Sequence, residues 1–528
     1  MRKTFLILIS LLILFSSTAQ NVFYHLSNTS LYNFLDEMAN NQIINLNSAY
    51  KPYSRTFIAN KLQEIESQKD NLNPRQIKDL IFYLKDFNKE LKPDKEFDKR
   101  LDLLYRKDSV FTLSINPIGG IQYWSNENGA VWHRWNGAEA FAYYGDHWGF
   151  YASLRDNHEN EKLSEDRFLN QRTGGNYKAQ YDYSEMMGGI TYSWNWGMIG
   201  LVKDHFTWGT NYNGSNIFSG RTPSFAHIKV NLKPVSWFEF NYVHGWLVSE
   251  VVDSSRSYFL VNSYGTDYRE VFYKKFIATN LFTFTPLKKL NISVGNSIVY
   301  SDIGVHPGYL IPLFFFKSID HTLSPGIDNQ NSQMFFDISS RQIKNLHLYA
   351  SLFIDEVAIG RMFKPEEHSN FFSTKLGFRI DHFPVRNVFF TTEYTRSNPL
   401  TFMHYVPTIT FESNRFNLGH YLRDNSKEFY LSLEAKPLRG LFLKASYTHA
   451  QKGPDYTALG TYRLGLPFME SIEWESSMFF LSARYEIINN GFVFAGYTHR
   501  NVTGNEDYCP AFWYGKTNTF NFGFNFGF

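Results

Sequence analysis

Cysteine occurs once in the 528 residues, at Cys509. That excludes an internal disulfide and any cysteine-built metal centre. An excess of charge of one sign is missing too. With 52 basic and 50 acidic residues the formal net charge is +2, which gives no basis for a nucleic-acid partner. Long apolar runs are absent apart from FLILISLLILF, Phe5 to Phe15, so no membrane-spanning helix is predicted in the rest of the chain. Catalytic signatures are lacking as well. None of the 16 histidines sits in H-E-x-x-H, and no serine sits in G-x-S-x-G. The adjacent carboxylates Asp355-Glu356 and Glu366-Glu367 would point to opposite faces of a strand, the wrong geometry for joint acid–base work. The chain therefore reads as non-enzymatic, with no catalytic residues, no metal and no cofactor.

Aromatic side chains, by contrast, are abundant: 18% of residues in a chain of mean hydropathy −0.34. Arg2 and Lys3, the apolar run and then Ser17, Thr18 and Ala19 form a secretory signal pattern, with cleavage expected after Ala19. No cysteine lies near that cut to carry a lipid anchor. An exported, aromatic-rich chain without spanning helices fits a β-barrel of a Gram-negative outer membrane, contacting its lipid. A secreted soluble all-β protein is the competing reading.

Residues 20–108 have a helical period. Leu31, Phe34, Leu35 and Met38 share one face, with cap candidates at Ser27 to Ser30; Ser54 can cap a second helix bearing Phe57, Ile58, Leu62 and Ile65. Asn73-Pro74 then opens a third, with Ile77, Leu80, Ile81, Leu84, Phe87 and Leu91 along one side. About 85 residues of short helices are too few for the folded plug of a TonB-dependent transporter, and they are expected as a small periplasmic plug.

From residue 109 to residue 528 the period is two. Phe429, Leu431, Leu433 and Ala435 alternate with Tyr430, Ser432, Glu434 and Lys436; Phe479, Leu481, Ala483, Tyr485 and Ile487 follow the same rule. The chain closes on TNTFNFGFNFGF, where Phe520, Phe522, Phe524, Phe526 and Phe528 would form a single apolar face. In a barrel that face meets lipid, and such an ending resembles the signal read by the barrel assembly machinery. Pro234, Pro286, Pro384 and Pro437 recur at spacings of 52, 98 and 53 residues, each before a new alternating run. With further turn signals near 145, 195, 342 and 488 they give eight short turns. Eight short turns join nine hairpins, so 18 strands are expected. The long polar segments near 156–178, 318–332, 450–472 and 501–515 become outward loops, where binding residues concentrate.

WGMIGLVKDHFTWGTNYNGSNIFSGRTPSF, Trp196 to Phe225, resembles the signature of the Wzi family of capsule-assembly proteins. LYASLFIDEVAI (Leu348 to Ile359), EYTRSNPL (Glu393 to Leu400), FNLGHYLRDN (Phe416 to Asn425) and the N-terminal LDEMANNQIINLNSAYKPYSR are similar to further blocks of that family. The YLIPLFFFKSID block resembles its Bacteroidetes-type relatives. The resemblance implies an 18-stranded barrel with a helical periplasmic plug that binds exported capsular or extracellular polysaccharide and attaches it to the cell surface. The family's Trp-Gly-Pro is here Trp208-Gly209-Thr210, so the glycan's identity does not transfer. A porin or an export-associated barrel is the alternative.

A glycan site needs aromatic faces for sugar C–H groups and fixed polar groups for hydroxyls. Trp208, Asn211, Tyr212, Asn216 and Arg221 offer both within one loop, although Trp208 and Tyr212 would serve equally as girdle aromatics. Asp355 and Glu356 are placed either on sugar or in a salt bridge with a lumen arginine.

Overall fold

The computed structural model describes residues 20–263, 265–323 and 326–527; the expected signal segment 1–19 and Phe528 lie outside the described residues. Eighteen antiparallel strands close into one barrel. In chain order they begin β1 (Phe111–Asn126), β2 (Gly129–Tyr144), β3 (Trp148–Glu159), β4 (Asp182–Trp194), β5 (Gly197–Asp204) and β6 (Phe225–Val235). The middle third is β7 (Phe238–Leu247), β8 (Lys275–Leu287), β9 (Leu290–Ser301), β10 (Gln330–Ser340), β11 (Leu346–Glu356) and β12 (Phe371–Asp381). The last are β13 (Val388–Ser397), β14 (Ser426–Ala435), β15 (Leu441–Lys452), β16 (Trp474–Ile488), β17 (Gly491–Gly504) and β18 (Gly515–Phe526). The barrel shuts where Phe520 to Phe526 pair with Ser125 to Gly119, and residues 104–107 occupy the remaining edge of β1.

All eight expected short turns join strands at one end of the barrel. Pro234 and Pro286 differ in detail from the expectation. Each is still in its strand, one residue before the end, beside a register shift that absorbs the missing N–H donor. The long connections share the other end, except that only Glu127 and Asn128 link β1 to β2.

The burial pattern is inverted relative to a soluble protein. Phe429, Leu433, Phe479 and Leu481 are exposed on the outside, while Ser432, Glu393, Lys375 and Arg379 are buried inside. Phe520, Phe522 and Phe524 stand 63%, 60% and 51% exposed, while Thr517, Thr519 and Asn521 turn inward and are buried. Apolar out and polar in is the pattern of a barrel solvated by lipid. Among the described residues no helix is long and apolar enough to cross a membrane.

Three helices, α1 (Thr29–Asn40), α2 (Arg55–Glu66) and α3 (Pro74–Leu91), fill the short-turn end of the lumen. The local signals act as expected for two of them. Phe57 N–H donates to Ser54 Oγ at 3.2 Å, and Asn73 with Gln76 forms a capping box around Pro74. The first helix starts after Asn28 without a side-chain cap. Ile81 is 48% exposed, because the buried side of α3 runs through Leu80, Tyr83, Leu84 and Phe87 instead. Ion pairs tie the helices to each other and to the wall: Arg75 with Glu37 and Asp79, Lys436 with Glu37 at 3.2 Å, and Arg341 with Asp36 at 2.8 Å.

Candidate functional site

The connection between β5 and β6, residues 205–224, does not project outward. It descends into the lumen and meets the plug: Thr207 and Trp208 form a short ladder with Lys51 and Tyr50, and Gly209 N–H donates to Ala49 O at 2.8 Å. Gly209 has φ +94°, and a Cβ there would lie 2.7 Å from Ser215 Oγ, so the Trp-Gly pair is a backbone requirement. The wall then holds the loop by its amides. Thr210 N–H and Oγ1 donate to Asp337 at 2.8 and 2.9 Å, and Tyr212 and Asn213 N–H donate to Glu393 at 2.6 and 3.1 Å. Lys375 Nζ and Tyr349 OH complete Glu393 at 2.8 and 2.6 Å. Four segments singled out by resemblance, around Trp208, Tyr349, Glu393 and His420, thus meet in one latch or beside it.

This geometry corrects the expectation for several candidate residues. Trp208 is 1% exposed, enclosed by Phe206, Phe218 and Phe335, so it is neither a sugar platform nor a girdle aromatic. Asn216 is spent on Ser373 O (3.0 Å) and Ser351 Oγ (2.6 Å). Arg221 donates to the carbonyls of Phe168 and Asn170 at 2.7 and 2.8 Å and lies over the Phe416 ring; burial pushes its guanidinium down to about 9. Tyr212 reaches His347 Nδ1 through its hydroxyl (2.9 Å), with Arg379 over its ring, and Asn211 bonds back to Gly209 O. Asp355 finds no lumen arginine. It accepts from Asn331, Gln333 and the Phe402 N–H, the last at 2.8 Å, anchoring the loop that follows β13. A register shift separates it from Glu356, which is exposed.

Beside the latch, towards the long-loop end, lies a cavity open to solvent, walled by β1 and β14–β18 and by loops 160–181 and 505–514. Trp124, Arg172, Tyr421, Trp474, Arg500 and Trp513 are its distinctive lining. None of the seven candidate residues lines it, but Asn213 of the same loop does. The lining mixes rings with donors. Arg500 lies over the Trp513 ring at 5.4 Å and donates to the Met478 thioether at 2.9 Å. Burial pushes the neighbouring Cys509 thiol up to about 11, so it supplies no negative charge. Arg172 is different. Burial works against its charge, but Glu159 at 2.7 Å outweighs it and holds the guanidinium above its ordinary range. Trp474 Nε1, Arg500 Nε, Arg172 Nε and Asn170 Nδ2 have no protein acceptor among the described residues.

Sequence reasoning named the loops but not these side chains. Strand parity could have found Arg500, which shares the inward face of β17 with Thr498 and Val502. Among the described residues no group of His, Cys, Asp and Glu is arranged to hold a metal ion.

No protein-family model matches the chain, and no curated protein matches it in sequence. Solved structures do. The chain is similar to Wzi of Escherichia coli, described as an outer-membrane protein involved in group 1 capsule assembly and a carbohydrate-binding β-barrel, at 11% identity and TM-score 0.59, covering 94% of this chain and 98% of that one. It is also similar to Pseudomonas aeruginosa OccD3 (13% identity, TM-score 0.44, 78% and 90% covered) and OprD (10%, 0.42, 78% and 94%). The first of these likenesses agrees with the outer-membrane barrel fold.

Proposed function

We propose that this barrel binds exported capsular or extracellular polysaccharide without chemically altering it, holding it at the cell surface from the long-loop end of the lumen. The observation that carries this reading is the cavity above a filled lumen, in which indole, phenol, amide and guanidinium groups line one space. Aromatic faces and fixed donors are what a sugar ring requires. A polymer presents the same unit many times, so a weak site gains through avidity. The likeness to a carbohydrate-binding barrel supports the reading. The plug end would then face the periplasm and the long loops the exterior, with residues 1–19 removed on export.

The test is deletion of the gene, with cell-bound and released polysaccharide measured separately. Retention should fall and release should rise. Unchanged retention removes the capsule reading. Conductance of the purified barrel in planar bilayers addresses the porin or export-channel alternative, because large steady currents would require the plug and the latched loop to leave a continuous path.

A further inference from the structure

The outer wall of β7–β9 carries an exception to the apolar-out rule. Ile277 and Leu281 of β8 and Val299 of β9 belong to the lumen core, so alternation turns Asn280 and Asn296 outward. The two are register partners. Their cross-strand row continues through Tyr242, Val230 and Ile199 on one side and Met334, Ile354 and Phe372 on the other. Two carboxamides thus interrupt an otherwise apolar outward row. In hydrocarbon an unsatisfied amide costs several kcal/mol.

The connection from β9 to β10 supplies the missing partners. It folds back over this outer face, where Tyr309 and Phe316 are fully buried against Tyr242, Phe276, Ile298 and Tyr300. Tyr242 OH donates to Tyr309 O at 2.6 Å. Asn280 Nδ2 donates to Pro312 O at 2.9 Å and Phe314 O at 3.0 Å. Asn296 Nδ2 donates to Asn280 Oδ1 at 2.7 Å, and Asn296 Oδ1 accepts from Phe316 N–H at 3.0 Å. The strap's irregular backbone and the wall's carboxamides therefore satisfy one another. On the side away from the wall stand Leu310, Ile311, Leu313, Phe314 and Phe315, between 41% and 63% exposed.

We propose that residues 307–319 form a strap embedded in the membrane's outer leaflet, its apolar side chains packed against lipid acyl chains. The proposal rests on reading the barrel as membrane-inserted. Lipid is favoured over water because five neighbouring apolar side chains would form an exposed patch of the kind monomeric soluble surfaces avoid. It is favoured over a protein partner by continuity: the strap lies on the apolar outward row, and Lys317 at its end can extend its ammonium to the headgroups. The two asparagines, costly alone, then become the pegs that hold it.

The test places an environment-sensitive fluorophore at position 313 through Leu313→Cys in the full chain, reconstituted in vesicles whose acyl chains carry bromine. Cys509, buried and with its thiol held neutral, stays unlabelled at neutral pH, and the unsubstituted chain serves as the blank. Leu481→Cys reports the barrel wall and Leu459→Cys an exposed loop. Quenching at 313 should match that at 481 and exceed that at 459 several-fold. If 313 behaves like 459 while 481 is quenched, the strap is in water and the proposal falls with the membrane reading intact. If 313 is shielded from both brominated lipid and aqueous iodide while 481 is quenched, a protein surface or a second copy covers it, which also overturns the proposal. If 481 is not quenched either, the membrane reading itself fails and takes the strap with it.

Discussion

At the short-turn end of the lumen Arg55, Arg75, Lys89 and Arg341 each reach a carboxylate within 3.1 Å, whereas at the long-loop end Arg500 reaches a thioether and an indole face. Both ends are lined by polar residues on inward-facing positions of the same strands. What separates Arg500 from the charges of the plug is the lack of a carboxylate partner among the described residues. In the plug, helix and wall satisfy each other, so the charges serve attachment. At the cavity Arg500 has no carboxylate in reach among the described residues, which on the proposed reading leaves its charge for a ligand.

Trp208 lies between the two regions and tests their difference most severely. If it belongs to the fold, Trp208→Ala removes a ring enclosed on all sides and costs about 3–5 kcal/mol, read as earlier unfolding of the barrel in denaturant. Glycan binding by the fraction still folded should be unchanged; a selective loss of binding would return Trp208 to the site. Glu37→Gln should cost somewhat less, about 3 kcal/mol, because Arg75 and Lys436 lose their shared anion while Gln76 and shape are kept. Protease cleavage within residues 20–108 of the intact barrel is the readout.

Acid tests the same contact without mutation. Burial would raise the Glu37 carboxyl, but Lys436 and Arg75 prevail and bring it from 4.5 to about 2. A depressed carboxyl contributes stability in full above its unfolded value, and this is lost as pH falls from about 4.5 to about 2. Asp79, raised by its own burial, works in the opposite direction at the start of that window, so loosening should be steepest at the lower end. Plug cleavage already rising at pH 6 would mean that this contact is not what holds the helices.

The fold was legible because its signals are local. Alternation along β14 and β16, caps at Ser54 and Asn73 and the eight turns each need only a few neighbouring residues, and a closed barrel follows once every edge must be paired. The site was not, because its members come from strands and loops spread from Trp124 to Trp513 and meet only on closure. Trp208 misled for a related reason: a tryptophan and a tyrosine among asparagines look like a sugar platform, and nothing nearby in sequence announces that Asp337 and Glu393 will pull that loop into the lumen. Asn280 and Asn296 were invisible for the converse reason, being ordinary residues whose significance is the face they occupy.

The smallest expected effect discriminates best between the two ends. Arg500→Gln keeps the length and some of the donor capacity of the side chain but removes its charge. No carboxylate depends on it, so unfolding should shift by less than about 1 kcal/mol, in contrast to Glu37→Gln. Binding should respond instead. A hydrogen bond to a charged group is worth about 1.5–3 kcal/mol, roughly ten- to a hundredfold in affinity for the exported polymer in equilibrium binding to purified barrel. Avidity along the polymer would mask part of that loss, so the measurement belongs with short oligosaccharides cut from it. Unchanged affinity with unchanged stability would make Arg500 a passive wall residue and move the site elsewhere on the loops. Unchanged affinity with a large loss of stability would put Arg500 under the rule of the plug end and erase the distinction between the two ends.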